Sequence, residues 1–436
     1  MKAGTELRRR AVRVESLEHR RLMSGWSTVD AVPGYMVMDM AADGGGNVYA
    51  VGQGLVRQAS DGGATWATVL QSSSLAFNSV VADGTGDVYV AGTNRTNGHW
   101  IILERPVGQG TFSVVDDVAS GHSVGLAADA AGDVFAIGKL VLPTSKNGTP
   151  YWAVRERRAG QSAFGSVDLV PVSSSSGVLP RDVAVIESGP SAGIYVVGGG
   201  TLGAGGSRWV VRKSADGGST WSQVDNFRYD ATGNALSDAW GVAGDAAGNV
   251  YVVGIGQSAT LSGYTKNKTP VYKYTDHWVV RKSGDGGTGW TVDDDFAISP
   301  SKNAEAYAVG TDLAGNVYVI GDAADGALTH GIVRTNADGG WATVDDYLGE
   351  DGQLGALDGG FACDSRGNLY AGGWDFNNWI IRSAVAPMPM AAGAAGVASS
   401  TAFLSPSSIL GPTADLQGTR LADFGSDGDD KHQLLA

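Results

Sequence analysis

The stretch Gly248-Asn249-Val250-Tyr251-Val252-Val253-Gly254 decides the reading of this chain, because it recurs along most of its length. Variants open at Gly46, Gly86, Gly132, Gly315 and Gly367, with a looser copy at Gly193. Its aromatic position holds Tyr49, Tyr89, Phe135, Tyr195, Tyr251, Tyr318 and Tyr370. From Tyr49 to Tyr370 there are 321 residues in six steps, a mean period of 53.5. A fixed period of that length marks repeated supersecondary units, and it suits propeller blades.

Each copy has the same anatomy, plain in residues 305–346. A strand expected over 305–311 meets the turn Asp312-Leu313-Ala314-Gly315-Asn316, whose Asp, Gly and Asn tolerate the left-handed backbone of tight turns. A second strand follows over 317–321 and a third over 331–334; Asp338-Gly339-Gly340 then turns the chain into a fourth over 341–345. Four antiparallel strands in each of seven repeats predict an all-β, seven-bladed β-propeller. The third strand recurs as Trp-apolar-apolar-Arg at Trp152, Trp209, Trp278 and Trp379. Its arginine slot holds Arg57, Arg155, Arg212, Arg281, Arg334 and Arg382, with Leu103 the exception. A residue shared by six of seven repeats is architecture, so these arginines are expected to pair with Asp or backbone carbonyls between blades.

The seventh repeat stops after Trp379-Ile380-Ile381-Arg382-Ser383, without its fourth strand. The missing strand is at the other end, where Gly25-Trp26-Ser27-Thr28-Val29-Asp30 matches Gly340-Trp341-Ala342-Thr343-Val344-Asp345. Residues 25–31 are therefore expected to pair with 379–383 and close the ring, leaving no long sheet edge. The expected organisation is a basic segment over 1–24, the propeller over 25–383, and an Ala/Ser/Gly-rich tail over 384–436, too poor in large apolar residues to build a core.

Composition agrees. Sixty-six glycines against 13 prolines, with 17% charged residues in a chain of 436, suit short strands and tight turns better than helices. Cys363 is the one cysteine, which excludes an intrachain disulfide and a Cys-ligated metal centre. The net charge is −14; residues 1–24 carry +4 and the tail −3, leaving −15 on the body. An acidic body disfavours nucleic acid and anionic membranes as partners. No stretch approaches the apolar length that spans a bilayer. The turns at Asp43, Asp83, Asp129, Asp245, Asp312 and Asp364 offer too few consecutive oxygen ligands for a Ca²⁺ loop, and the six histidines show no ligand spacing. No metal or cofactor is expected.

Ser214-Ala215-Asp216-Gly217-Gly218-Ser219-Thr220-Trp221 resembles the Asp-box (BNR) motif of sialidase-like propellers, Ser-x-Asp-x-Gly-x-Thr-Trp. Residues 61–66 and 283–290 match less fully, and 336–341 is a shortened form. In that family the box is a hairpin far from the active site, so the resemblance implies a fold and no activity. The Asp-x-x-Gly-Asn-Val-Tyr turns also resemble the propeller repeats of bacterial secreted proteins. The run from Ser16 to Ser24 resembles the LEPR-XLL tag of large bacterial extracellular and surface proteins, with His19 in place of Pro and Met23 in place of Leu. That resemblance implies export, although the chain's start has the positive region of a signal peptide without the apolar region behind it. The other reading of this run is a basic arm with no specific role.

Repeated positions hold a fold, so function is sought where the repeats differ, in the second-to-third loops and blade connectors that share one face. The longest loop is 255–277, which carries Tyr272 and Tyr274; a related phrase stands at 146–151. Such loops suit a sugar or peptide platform, or they simply pack on one another. The first strands line the channel of a propeller, and counting back from the recurring turns places His122, Asp182, Asp238, Glu305 and Asp358 at or near its mouth, in five blades. A ring of carboxylates there raises pKa values and attracts a cation or a basic ligand group, with Glu305 and Asp238 as the expected contacts. The bland alternative is that each acid caps a loop separately. Two functions remain open. One is a monomeric, non-catalytic module that binds a protein or carbohydrate ligand. The other is a sialidase-like or other glycoside hydrolase, which needs an acid paired with a nucleophile and, in the sialidase type, three converging arginines. The arginines here occupy one repeating slot, which favours binding.

Overall fold

The computed structural model describes residues 25–385, apart from 146–147, 173–178, 201–206, 233, 350–351, 353 and 377, together with the strand pair Thr413–Ala414 and Arg420–Leu421. The basic segment 1–24 and nearly all of the tail lie outside the described residues. Seven four-stranded antiparallel sheets follow one another, and no described residue is α-helical. Blade 6, for example, consists of Ala304–Thr311, Val317–Ala324, Thr329–Thr335 and Ala342–Tyr347. The first strands of successive blades touch in a closed circuit, so they surround the axis. Blade 7 is completed by the N-terminal strand Ser27–Pro33, which pairs antiparallel with Asn378–Val385 in the register Ser27 to Ser383 and Pro33 to Asn378. The ring closes as the sequence predicts.

Each part of the repeated phrase has a physical cause. In blade 5, one Asp245 oxygen accepts the Asn249 backbone N–H at 2.8 Å, and the other accepts the Asn249 side-chain amide at 2.6 Å and the Tyr251 hydroxyl at 3.2 Å. Asp43, Asp312 and Asp364 repeat the arrangement. A single carboxylate ties turn, amide and aromatic together, which is why Asp, Asn and Tyr recur as a set. The phrase's last glycine answers a different need. A Cβ on Gly254 would lie 2.1 Å from the Asp238 carbonyl oxygen, and Gly52, Gly92, Gly138, Gly198, Gly321 and Gly373 face the same clash at 1.9–2.1 Å. The first strand presses on the second there because it carries a bulge, which leaves Asn78, Val124, Arg181, Trp240 and Tyr307 as extra residues in their blades.

Between the sheets lies a packed apolar layer anchored by Trp100, Trp152, Trp209, Trp278 and Trp379, all at most 1% exposed. None of these five indole N–H groups meets an acceptor among the described residues. Leaving one unpaired costs about 1–3 kcal/mol, while each ring removes roughly 150–250 Å² from water; burial of the ring prevails.

The arginine slot joins neighbouring blades. Arg155 gives its Nε and Nη2 protons to the two oxygens of Asp116, on the fourth strand of the preceding blade, both at 3.0 Å. Arg212 takes Asp168, Arg281 takes Asp225, Arg334 takes Asp294 and Arg382 takes Asp345 in the same two-pronged way. Arg57 of blade 1 takes Asp30, which arrives on the closing strand, with both bonds at 2.6 Å. The expected pairing is therefore present, with Asp as the inter-blade partner. Where blade 2 has Leu103 instead of Arg, blade 1 has Leu70 in the place of Asp, and the two join one apolar cluster.

Asp30→Ala strands the Arg57 guanidinium and should cost about 3 kcal/mol, the lower end for breaking a buried pair, seen as a lowered melting temperature in calorimetry. Removing residues 25–31 altogether should lower it further. At the apolar joint, Leu70→Asp and Leu103→Arg should each destabilise the ring, while the double variant recovers roughly 1–3 kcal/mol in a double-mutant cycle.

Candidate functional site

Bulged residues make contacts from one blade to the next. Asn78 donates to the Ser123 carbonyl at 2.9 Å. The Arg181 guanidinium lies 4.1 Å from the centroid of the Trp240 ring, and Trp240 meets Tyr307 edge-on at 5.6 Å. Carboxylates stand beside this aromatic chain: Arg181 donates to Asp238 at 3.1 Å, Tyr307 donates to Glu305, and Trp374 donates to Asp358 at 3.1 Å. Asp322 is the cross-strand neighbour of Glu305. Burial raises the Tyr307 hydroxyl well above its ordinary pKa, and the nearby charges of Asp322, Glu305 and Asp358 add to the shift. Burial likewise raises the Asp238 carboxyl, against the opposing pull of Arg181. Room for that carboxylate comes from blade 4, where a Cβ on Gly199 would lie 1.9 Å from an Asp238 oxygen.

Of the five residues that the sequence places at the mouth, Asp238, Glu305 and Asp358 belong to this group. His122 holds the equivalent place in blade 3, opposite Lys139. Asp182 does not belong. It is fully buried, accepts the N–H groups of Val183 and, at 2.7 Å, of Val242 in the next blade, and ties two first strands together. The displacement has a simple cause. In blade 4 Ala184 pairs with Tyr195, eleven positions on, whereas in blade 5 Ala243 pairs with Tyr251, eight on. The longer turn puts the counted position three residues too deep. Asp39 is the same device in blade 1, accepting Ser79 and Val80 of blade 2.

The segment 255–277 is a correction as well. Rather than a loop, it is a ribbon formed by extensions of the strands Val250–Tyr264 and Pro270–Ser283. Tyr272 and Tyr274 have ring centroids 6.4 Å apart, and the Tyr274 hydroxyl accepts the Asn234 N–H at 3.1 Å. Neither hydrogen-bonds a mouth carboxylate among the described residues. Lys146 and Asn147 of the related phrase lie outside the described residues.

Arg181, Trp240, Tyr307 and Asp322 were not among the expected site residues. A signal existed in the paired phrases Asp238-Ala239-Trp240 and Glu305-Ala306-Tyr307, which set an aromatic two residues beyond an acid in adjacent blades.

The Asp-box-like turns lie at the opposite end of the blades. Asp216 accepts the Thr220 N–H at 2.8 Å and its hydroxyl at 2.6 Å, while the Ser214 hydroxyl accepts the Gly218 N–H at 2.9 Å. These bonds close hairpins. Among the described residues no group of three His, Cys, Asp or Glu is placed to hold a metal ion. Pairs of His and Asp recur between third and fourth strands, as His99–Asp117, His277–Asp295 and His330–Asp346, and this repetition marks them as architecture.

No family model matches the chain, and no curated protein matches it. Solved structures do. Hydrazine synthase of Kuenenia stuttgartiensis matches with a TM-score of 0.51 and 14% identity, over 81% of this chain and 97% of that one. YCF48 bound to D1 peptide matches at 0.50 and 12%, over 84% and 97%. An α-L-arabinanase of Penicillium chrysogenum, complexed with arabinobiose, gives 0.46 and 12%, over 70% and 91%. The likeness is one of fold.

The raised pKa of Asp238 has a measurable sign. A carboxyl that is more basic folded than unfolded favours the folded state below its unfolded pKa, and that contribution is lost as pH rises through the folded value. The stability of the wild type relative to Asp238→Asn should therefore increase as pH is lowered from 7 towards 4, followed by denaturant melts at each pH.

Proposed function

We propose that the chain is an exported, non-catalytic propeller of the Asp-box type that binds a protein ligand at the channel mouth by a basic side chain. The observation that carries this reading is the set of Asp238, Glu305, Asp322 and Asp358 around Trp240 and Tyr307. Carboxylates beside an aromatic face are what a guanidinium or ammonium group needs. The chain's own Arg181 already makes that contact, seated on Trp240 and paired with Asp238. A propeller structure with a bound peptide, YCF48, is consistent with a protein ligand. Export rests on the tag-like run from Ser16 to Ser24. Against hydrolysis, Asp238 is held by an arginine and Glu305 by a tyrosine, so neither is poised as a lone acid and nucleophile pair.

The test is a peptide array and a glycan array read against wild type and the Asp238→Asn/Glu305→Gln variant. Arginine- or lysine-bearing peptides should bind the wild type and lose about tenfold or more in the variant, the size of one charge-assisted contact. Turnover of an aryl glycoside that vanishes in the same variant would establish the hydrolase instead.

A further inference from the structure

Alongside that of blade 7, between Asp375 and Asn378, the second-to-third connection of blade 1 is one of the two shortest among the described blades. It is the two-residue turn Gln53-Gly54 between Val48–Gly52 and Leu55–Ala59, where blade 5 extends a long ribbon. Both residues have positive φ, 49° and 91°, the signature of a type I′ hairpin. That turn favours Asn, Asp or Gly at its first position, so a glutamine there is strained, as Phe376 is at the same place in blade 7 with a φ of 51°. The low turn leaves a notch on the loop face. Its walls are Gly34 and Tyr35 from the connector out of blade 7, Gln71, Ser72 and Ser73 at the end of blade 1, and Arg95 from the hairpin of blade 2. The cavity measures about 590 Å³, inside the roughly 300–1,000 Å³ typical of small-molecule sites.

Its chemistry is unlike the rest of the surface. On a chain with 45 acidic residues against 31 basic, no carboxylate lines this cavity, and its one charge is Arg95. Among the described residues the Arg95 guanidinium takes part in no hydrogen bond or ion pair; only the backbone N–H of that residue is bonded, to Ser74. Gln71 donates to the Tyr35 hydroxyl at 2.9 Å, which fixes the amide and the ring side by side. Two planar amides, an aromatic ring and serine hydroxyls match a ligand rich in hydroxyl groups, and a free arginine adds selection for a carboxylate.

We propose that this notch binds a carboxylated sugar, a uronic acid residue of an oligosaccharide, with Arg95 on the carboxylate, Gln53 and Gln71 on the hydroxyls and Tyr35 against the ring. It shares the loop face with the channel mouth but none of its residues. Loss of binding in one set of variants with retention in the other therefore separates the two proposals.

The experiment is calorimetric titration of the full chain with glucuronate-bearing oligosaccharides, their neutral glucose counterparts and a tripeptide with a free C-terminal carboxylate. The uronate form should bind about tenfold or more tightly than the neutral one, and Arg95→Ala should abolish that preference. Gln53→Gly provides a second readout. It relieves the positive φ, so the melting temperature should hold or rise while uronate binding weakens, a combination that a purely structural glutamine would not give. Equal binding of charged and neutral sugars, no binding of either, an unchanged preference in Arg95→Ala, or a tripeptide that binds as tightly as the uronate would each overturn the assignment.

Discussion

The two-pronged bond between an arginine on the third strand of one blade and an aspartate on the fourth strand of the blade before it is what makes seven sheets into one ring. A blade alone can satisfy its own ladder, but its flanking surfaces need a neighbour at a fixed distance and angle. Two parallel N–H to oxygen bonds from a planar guanidinium set both. The pair is buried, so its net worth against an apolar pair is small, and removing one member costs far more than removing both. Leu70 and Leu103 make that point within the molecule: one joint has lost both charges and is sealed by contact instead. Asp30 shows how closure uses the same rule, since the strand that completes blade 7 also brings the carboxylate that binds blade 1.

Nearer the axis, a second and different set of bonds repeats the task. Asp39 and Asp182, both fully buried, accept backbone N–H groups from the next blade, and Ser79 does so from blade 2 to blade 3. Apart from the Ser79 hydroxyl, which also donates to Asp39, their partners are backbone, so the sequence carries little by which to foresee them. The carboxyl of Asp39 is pushed well up by its burial, with Ser79 and Val80 opposing that shift and the charge of Asp182 adding to it. These inner contacts join first strand to first strand, while the outer arginines join third strand to fourth.

What the sequence made legible follows from what repeats. The blade count, the four-strand unit, the closing strand and the role of the arginines all rest on positions that recur at a fixed spacing, and recurrence averages out local irregularity. The mouth depends on positions that do not recur. Counting back from the recurring turn puts Asp238 and Glu305 beside the bulged aromatics but sets Asp182 too deep, because one turn has three more residues. The bulges are harder still: each shifts the strand by one residue, so Arg181, Trp240 and Tyr307 face the channel against the alternation that the flanking residues suggest. The ribbon at 255–277 read as a loop because its Ser, Thr, Gly and Lys content lacks a hydrophobic face; cross-strand pairing orders it, with hydrogen bonds to Asp230, Asn234 and Asn303 of adjoining connectors.

The glycine that ends each repeated phrase separates two evolutionary problems. By giving way to the carbonyl of the first strand, it lets five of the blades accommodate one extra residue without disturbing the ladder on either side. The extra residue varies from blade to blade: Asn78, Val124, Arg181, Trp240 and Tyr307 have no common size, charge or shape, yet the sheets that carry them are alike. Each fits its own surroundings, Val124 in an apolar core and Asn78 on the Ser123 carbonyl, while Arg181, Trp240 and Tyr307 form the aromatic chain beside the carboxylates. A lineage built on this repeat can retune that position blade by blade, together with the neighbours it meets.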